Sequence, residues 1–111
     1  MKEQGKKQVV PPQGKSNRKK WMASKEAQPT IIELECGVVA TIHKAKAKDI
    51  VAAQRLMGSD ESLFIPAMMS LLTELDGEKF VMEVLIEEMD GNVYQELMGH
   101  FSEINFPQVG T

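Results

Sequence analysis

The sequence predicts an α+β fold that is mainly α, with an N-terminal β-hairpin followed by three main helices and a short connecting element before the last helix. Two runs of β-branched residues lie on either side of Gly37, which favours a hairpin. After residue 45, apolar residues recur at helical spacing in three separate stretches. The 111 residues are enough for one small domain and little else.

The hairpin is predicted over residues 30–43. The runs Thr30-Ile31-Ile32-Glu33-Leu34-Glu35 and Val38-Val39-Ala40-Thr41-Ile42-His43 suit extended backbone, and Cys36-Gly37 supplies the turn between them. Because a two-stranded ribbon is only marginally stable by itself, we expect the hairpin to pack against the helices.

The first main helix is predicted over residues 46–57. Asp49 lies in its first turn, where a negative charge favours the helix dipole, and Gly58 ends it. Asp60 or Ser62 is placed to cap the helix that follows.

Two further helices are predicted from apolar spacing. The second carries apolar residues from Leu63 to Leu75, and Asp76-Gly77 is expected to stop it. Residues 80–89 are ambiguous between a short helix and extended chain. Asp90 is the predicted cap of the last helix, whose apolar stripe runs over residues 93–104.

Charge divides the chain into two parts. Residues 1–29 contain eight basic and two acidic residues, a formal charge of +6, whereas residues 30–111 contain five basic and fourteen acidic residues, a charge of −9. The first part has too little apolar surface to offset the entropy of ordering it. We therefore predict a disordered basic arm over 1–29, an interaction domain over 30–106 and a frayed C-terminus over 107–111.

The basic arm offers one nucleic-acid hypothesis. Arg18-Lys19-Lys20 supplies cations for phosphate groups, and Trp21 supplies a surface on which a base can stack, so weak and salt-sensitive binding is expected. The alternatives are a solubilising tail or a segment that folds over its own acidic domain.

The sequence does not favour an enzyme. Cys36, His43 and His100 are the candidates for nucleophile and base, but the first two lie at opposite ends of the second predicted strand. No ligand spacing typical of a metal site occurs, and the carboxylates around Gly91 depart from an EF-hand. We expect no cofactor and no metal. No apolar run is long enough to suggest a membrane span or a secretory signal, so a soluble intracellular protein is expected.

Methionine is unusually frequent, with eight residues in the chain. Methionine-rich surfaces adapt to varied apolar partners, although a single methionine is more often ordinary core filling. The second main helix is apolar nearly all round, which favours a partner-binding groove or a homo-oligomer interface. The residues predicted to form that surface are Ile65, Met68, Met69 and Leu72.

The order of elements resembles the small tail assembly chaperones of long-tailed bacteriophages, of the kind found in contractile-tailed phages and prophages. The resemblance covers residues 30–106. The basic arm, residues 1–29, departs from the compact pattern of these proteins. Three segments carry the resemblance. The first is Ala45-Lys46-Ala47-Lys48-Asp49-Ile50, which starts a helix directly after the hairpin, and the second is Leu75-Asp76-Gly77-Glu78-Lys79-Phe80, in which the apolar helix ends. The third is Met89-Asp90-Gly91-Asn92-Val93, which opens a helix that runs to Asn105-Phe106.

The resemblance implies a non-enzymatic protein in the cytoplasm of the bacterial host. Such chaperones coat the long helical tape measure protein, keep it soluble, and help to recruit tail tube subunits. It carries over no catalytic residues, so the predicted site residues come from the apolar-surface argument alone.

Overall fold

The computed structural model describes residues 18–24 and 27–107. Its elements are α1 (Arg18–Trp21), β1 (Thr30–Glu33), β2 (Val39–Ile42), α2 (Ala47–Met57), α3 (Phe64–Leu72), β3 (Thr73–Leu75), α4 (Met82–Glu87) and α5 (Gly91–Asn105). The predicted fold class is confirmed, since a hairpin precedes a mainly helical chain. Most of the predicted basic arm lies outside the described residues, as does the predicted frayed end from residue 108 onward.

β1 and β2 form the predicted antiparallel hairpin, with Ile32 opposite Ala40. In the turn, the Leu34 N–H donates to the Val38 carbonyl at 2.8 Å and the Gly37 N–H donates to the Leu34 carbonyl at 2.8 Å. Gly37 has a φ of 95°, which glycine adopts without the steric cost of a side chain. The backbone conformation of this turn therefore requires a glycine at position 37.

Residues Thr73–Leu75 form a third strand, so the prediction that the second main helix continues to Leu75 is wrong. β3 pairs antiparallel with β2, which places β2 in the centre of the sheet. The His43 N–H donates to the Leu72 carbonyl at 2.8 Å where α3 ends. The edge of β2 that is not paired with β1 offers backbone hydrogen bonds to residues 73–75. These bonds replace the ones that another turn of α3 would have made.

Asp76-Gly77 ends this strand by reversing the chain. Asp76 has a φ of 50° and Gly77 a φ of 82°, and positive values at both central residues are typical of the tight two-residue turns that favour Asp-Gly. The Leu75 N–H donates to the Glu78 carbonyl at 2.8 Å across this turn. The Asp76 carboxylate also accepts a hydrogen bond from the Val39 N–H at 2.9 Å, which joins the turn to β2.

The predicted helix boundaries around α2 and α5 are confirmed within a residue or two. The Asp49 carboxylate accepts from the Lys46 N–H at 2.9 Å at the start of α2, and Gly58 with a φ of 60° ends that helix. The Asp90 carboxylate accepts from the Asn92 N–H at 3.0 Å and from the Val93 N–H at 3.4 Å. Both carboxylates satisfy N–H groups that a helix N-terminus leaves without a partner.

The core is built around α3, which packs against α2, α4 and α5 and leads directly into the sheet. Its fully buried side chains include aromatic, aliphatic and methionine residues from several elements. The largest of them are Phe101, Ile42, Met68, Met69 and Leu97.

Asn105, at the end of α5, connects the last helix to the hairpin. Its Oδ1 accepts from the Ala45 N–H at 2.7 Å, and its Nδ2 donates to the His43 carbonyl at 3.2 Å. One partly buried amide therefore satisfies two backbone groups just after β2. This contact places the C-terminal end of α5 beside the segment that leads into α2.

Candidate partner-binding groove

The predicted partner-binding surface on α3 is not exposed. Met68 and Met69 have 0% relative exposure, Leu72 has 4%, and Ile65 is partly buried. The prediction that these side chains form an open groove is therefore wrong for Met68, Met69 and Leu72. The physical reason is that α2, α4 and α5 all pack around this one helix, so that an apolar surface on nearly every side is matched by neighbours.

The predicted nucleic-acid residues lie on α1, a single helical turn. Arg18 and Lys20 are exposed, and 72% of Trp21 is exposed, while the Lys19 side chain lies outside the described part of the chain. The structure thus leaves a cationic and an aromatic side chain open to solvent on the same turn.

The candidate catalytic residues lie in different environments. Cys36 is exposed in the hairpin turn, and His43 Nε2 lies 3.4 Å from a carboxylate oxygen of Glu74. His100 is partly buried on α5. Within residues 18–24 and 27–107, no group of three or more His, Cys, Asp or Glu is arranged to hold a metal ion. None of the helices described is long and apolar enough to cross a membrane.

An open apolar groove lies where the start of α3, the end of α4 and the start of α5 meet. It has a volume of about 390 Å³. Its apolar walls are formed by Leu63, Pro66, Leu85, Ile86, Met89 and Tyr94. We call this feature the α3–α4–α5 groove. Its volume is within the range of small ligand pockets, but its open shape also suits a side chain from a partner segment.

A second cavity of about 140 Å³ lies between α4 and the end of β3. It shares Leu85 and Met89 with the α3–α4–α5 groove, and Leu75, Phe80 and Val84 complete its apolar wall. Met89 therefore borders both spaces. An unbranched and polarizable side chain at that position can change rotamer to fit different occupants.

Ile86 is the most accessible aliphatic side chain of the groove, with 46% exposure. It lies next to Leu85, which is buried in the core. Leu85 thus anchors α4 in the core, while the neighbouring Ile86 is exposed to solvent. A partner that covers Ile86 would remove apolar surface from water without any rearrangement of the core.

The segments that form the groove are acidic. Residues 61–66 and 80–95 contain five carboxylates and no lysine, arginine or histidine. These carboxylates belong to Glu61, Glu83, Glu87, Glu88 and Asp90. All five residues are exposed, so an occupant with flanking positive charges is favoured over a neutral or acidic one.

Tyr94 supplies one of the polar groups of the groove wall, together with Ser62 and Gln95. Burial raises the pKa of its phenol above the ordinary value of 10.0, because the charged form loses hydration. A tyrosine phenol is already neutral at physiological pH, and as a neutral group it can donate a hydrogen bond to an occupant.

The sequence reasoning did not identify this groove. Its residues come from two segments separated by β3 and its turn, and one of them, residues 80–89, was ambiguous between helix and extended chain. The available signal was Ile86, an apolar residue followed by Glu87 and Glu88 in a segment that would otherwise read as a solvated face.

Comparison of the chain with protein-family models, with curated proteins and with solved structures finds no match. The resemblance to tail assembly chaperones therefore continues to depend on the order of segments alone.

Proposed function

We propose that this protein is a non-enzymatic phage tail assembly chaperone that acts in the cytoplasm of the bacterial host, binds the helical tape measure protein and keeps it soluble. The observation that carries the proposal is the open α3–α4–α5 groove, which has Ile86 accessible on its wall and exposed carboxylates on the segments that form it. An amphipathic helix binds such a groove by burying its apolar face there.

The groove, rather than the buried methionines of α3, is the surface that this proposal uses. A tape measure protein presents long helices whose apolar faces would otherwise associate with one another. Covering those faces requires an accessible apolar wall and tolerance of sequence variation along the helix. Ile86 supplies the first property and Met89 the second.

Co-expression with the tape measure protein from the same phage tests this function. An Ile86→Asp variant places a charge on the groove wall, and we expect at least a tenfold loss of binding together with precipitation of the tape measure protein. Val51→Asp is the matched control, because Val51 on α2 has the same 46% exposure and does not line the groove. We expect the control to retain its partner.

The comparison is valid only if both variants stay folded, which circular dichroism and thermal midpoints would establish. The proposed function is wrong if folded Ile86→Asp protein keeps the tape measure protein soluble as well as the unaltered chain does.

A second candidate function is weak nucleic-acid binding through the basic arm. The exposure of Trp21 beside Arg18 and Lys20 favours it. Phosphate binding of this kind weakens steeply as salt rises, whereas apolar capture in the groove persists at high salt. Titration of the full chain with single-stranded DNA at low and high salt separates the two.

A further inference from the structure

The positive charges and the apolar core that the α3–α4–α5 groove favours both occur near the start of the same chain. Residues 1–17 contain four lysines and one glutamate, a formal charge of +3. At the centre of this segment is Val9-Val10-Pro11-Pro12, with Lys6 and Lys7 before it and Lys15 after it. These residues precede the described part of the chain, which begins at Arg18.

We propose that residues 6–15 bind in the α3–α4–α5 groove of their own chain and act as an internal ligand that a partner helix has to displace. This inference rests on the proposed function for its biological meaning, because the groove is the same one. It explains why a +6 segment is joined to a −9 domain in a single chain.

The chemistry of the segment matches that of the groove in two respects. Two valines and two prolines form a short apolar stretch, and the groove walls are formed by aliphatic side chains, Met89 and Tyr94. Proline-rich segments lose little conformational entropy on binding because they are already extended, and they commonly bind grooves that contain aromatic residues. Lysines on both sides of the stretch complement the five exposed carboxylates of the groove-forming segments.

The reach of the segment can be compared with the length of α5, because Ala23 and Ala27 lie near one end of this helix and the groove lies at the other. Ala23 and Ala27 line a pocket together with Ala45, and Ala45 is hydrogen-bonded to Asn105 at the C-terminal end of α5. Gly91, at the other end of α5, lines the groove. Fourteen residue steps along a helix span about 21 Å. The nine residue steps from Arg18 to Val9 reach up to about 30 Å when extended, which exceeds the length of α5.

The tether also makes a weak contact sufficient. A segment joined by a short linker has an effective concentration in the millimolar range, so a contact with a dissociation constant of about 1 mM is occupied at least half of the time. Charge contributes to that contact, and salt screens exposed charges over roughly 8 Å at physiological ionic strength. We therefore expect occupancy to fall as salt is raised.

Paramagnetic relaxation in the full-length chain tests the proposal. The only cysteine, Cys36, is exposed and is replaced by serine, and Gln8→Cys carries a nitroxide spin label beside the apolar stretch. We expect the label to reduce the methyl signals of Ile86 and Met89 several-fold more than those of Val39 and Val51, which lie outside the groove. High salt should restore much of the lost intensity.

A variant of the segment provides the control. Val9→Asp together with Val10→Asp removes the apolar stretch without altering the described domain, and it should abolish the selective loss at Ile86 and Met89. The proposal is overturned if the methyl signals of the groove and of the reference residues fall equally, or if the selective loss survives both substitutions.

Mixing distinguishes the chain's own groove from that of a second copy. Spin-labelled chain without NMR-active isotopes is mixed with isotope-labelled chain that carries no nitroxide. Signal loss at Ile86 in this mixture would show that the segment binds another copy, which also overturns the proposal.

The two proposals can fail separately. If the methyl signal of Ile86 is selectively reduced and Ile86→Asp does not weaken tape measure binding, the internal ligand is supported and the proposed function is rejected. If Ile86→Asp weakens tape measure binding and the groove methyl signals show no selective loss, the proposed function is supported and the internal ligand is rejected.

Discussion

Met69 provides the most direct test of the central position of α3. Its side chain is fully buried, although the sequence alone favoured an exposed role for it. Met69→Ala removes most of this side chain while preserving helix propensity, since alanine is the best helix former. Any loss of stability therefore reports the packing that the side chain makes with the elements around α3.

The expected cost follows from burial. Truncation of a buried methionine to alanine removes apolar contacts and leaves a cavity, which together cost about 2–5 kcal/mol. Domains of this size commonly have total stabilities near the lower end of about 5–15 kcal/mol. Because 1 kcal/mol corresponds to about 4–8 °C in a domain of 60–100 residues, we expect the midpoint of thermal unfolding to fall by at least about 10 °C.

The assay is urea and thermal unfolding followed by circular dichroism. Met22→Ala is the control, because Met22 has 37% exposure and lies outside the core, and its effect should stay within about 0.5 kcal/mol. If Met69→Ala does not fold, Met69→Leu conserves volume and should cost less than about 1.5 kcal/mol. Equal stabilities of Met69→Ala and Met22→Ala would refute the reasoning.

Two further predictions concern Asn105 and Tyr94. Asn105→Ala leaves the Ala45 N–H and the His43 carbonyl without their partner, and we expect it to lower the free energy of unfolding in urea by about 1–3 kcal/mol. Asn92→Ala, at an exposed position, should lower it much less, and similar losses for the two variants would contradict the role of Asn105. Tyr94 is the only tyrosine, so its ultraviolet titration should give a higher pKa in the folded chain than in urea. Since burial favours the neutral phenol, its contribution to stability is complete below the unfolded pKa and is lost as the pH rises through the folded pKa; identical midpoints in both states would contradict this.

Much of the fold could be predicted because its signals are local. Asp49 and Asp90 cap helices within three residues of their own positions, and Gly37 and Gly58 permit backbone angles that end an element. The hairpin needed only two β-branched runs and the turn between them. Such features depend on neighbours in the sequence, and therefore a single sequence contains the information to predict them.

The third strand could not be predicted in the same way. Leu75 fits the spacing of the preceding helix, and nothing local marks the point where α3 ends. The end is determined by pairing with β2, where Thr41 lies opposite Glu74 more than thirty residues later in the chain. Strand formation here depends on a partner whose position only the folded chain defines.

The candidate site shows the same division. The sequence by itself determined that α3 is apolar on nearly every side and that the segments around it are acidic. Only the tertiary structure decided that Met68 and Met69 are core while Ile86 and Met89 line an open groove. The reason is that burial is a property of the elements surrounding a side chain, and those elements come from distant parts of the sequence.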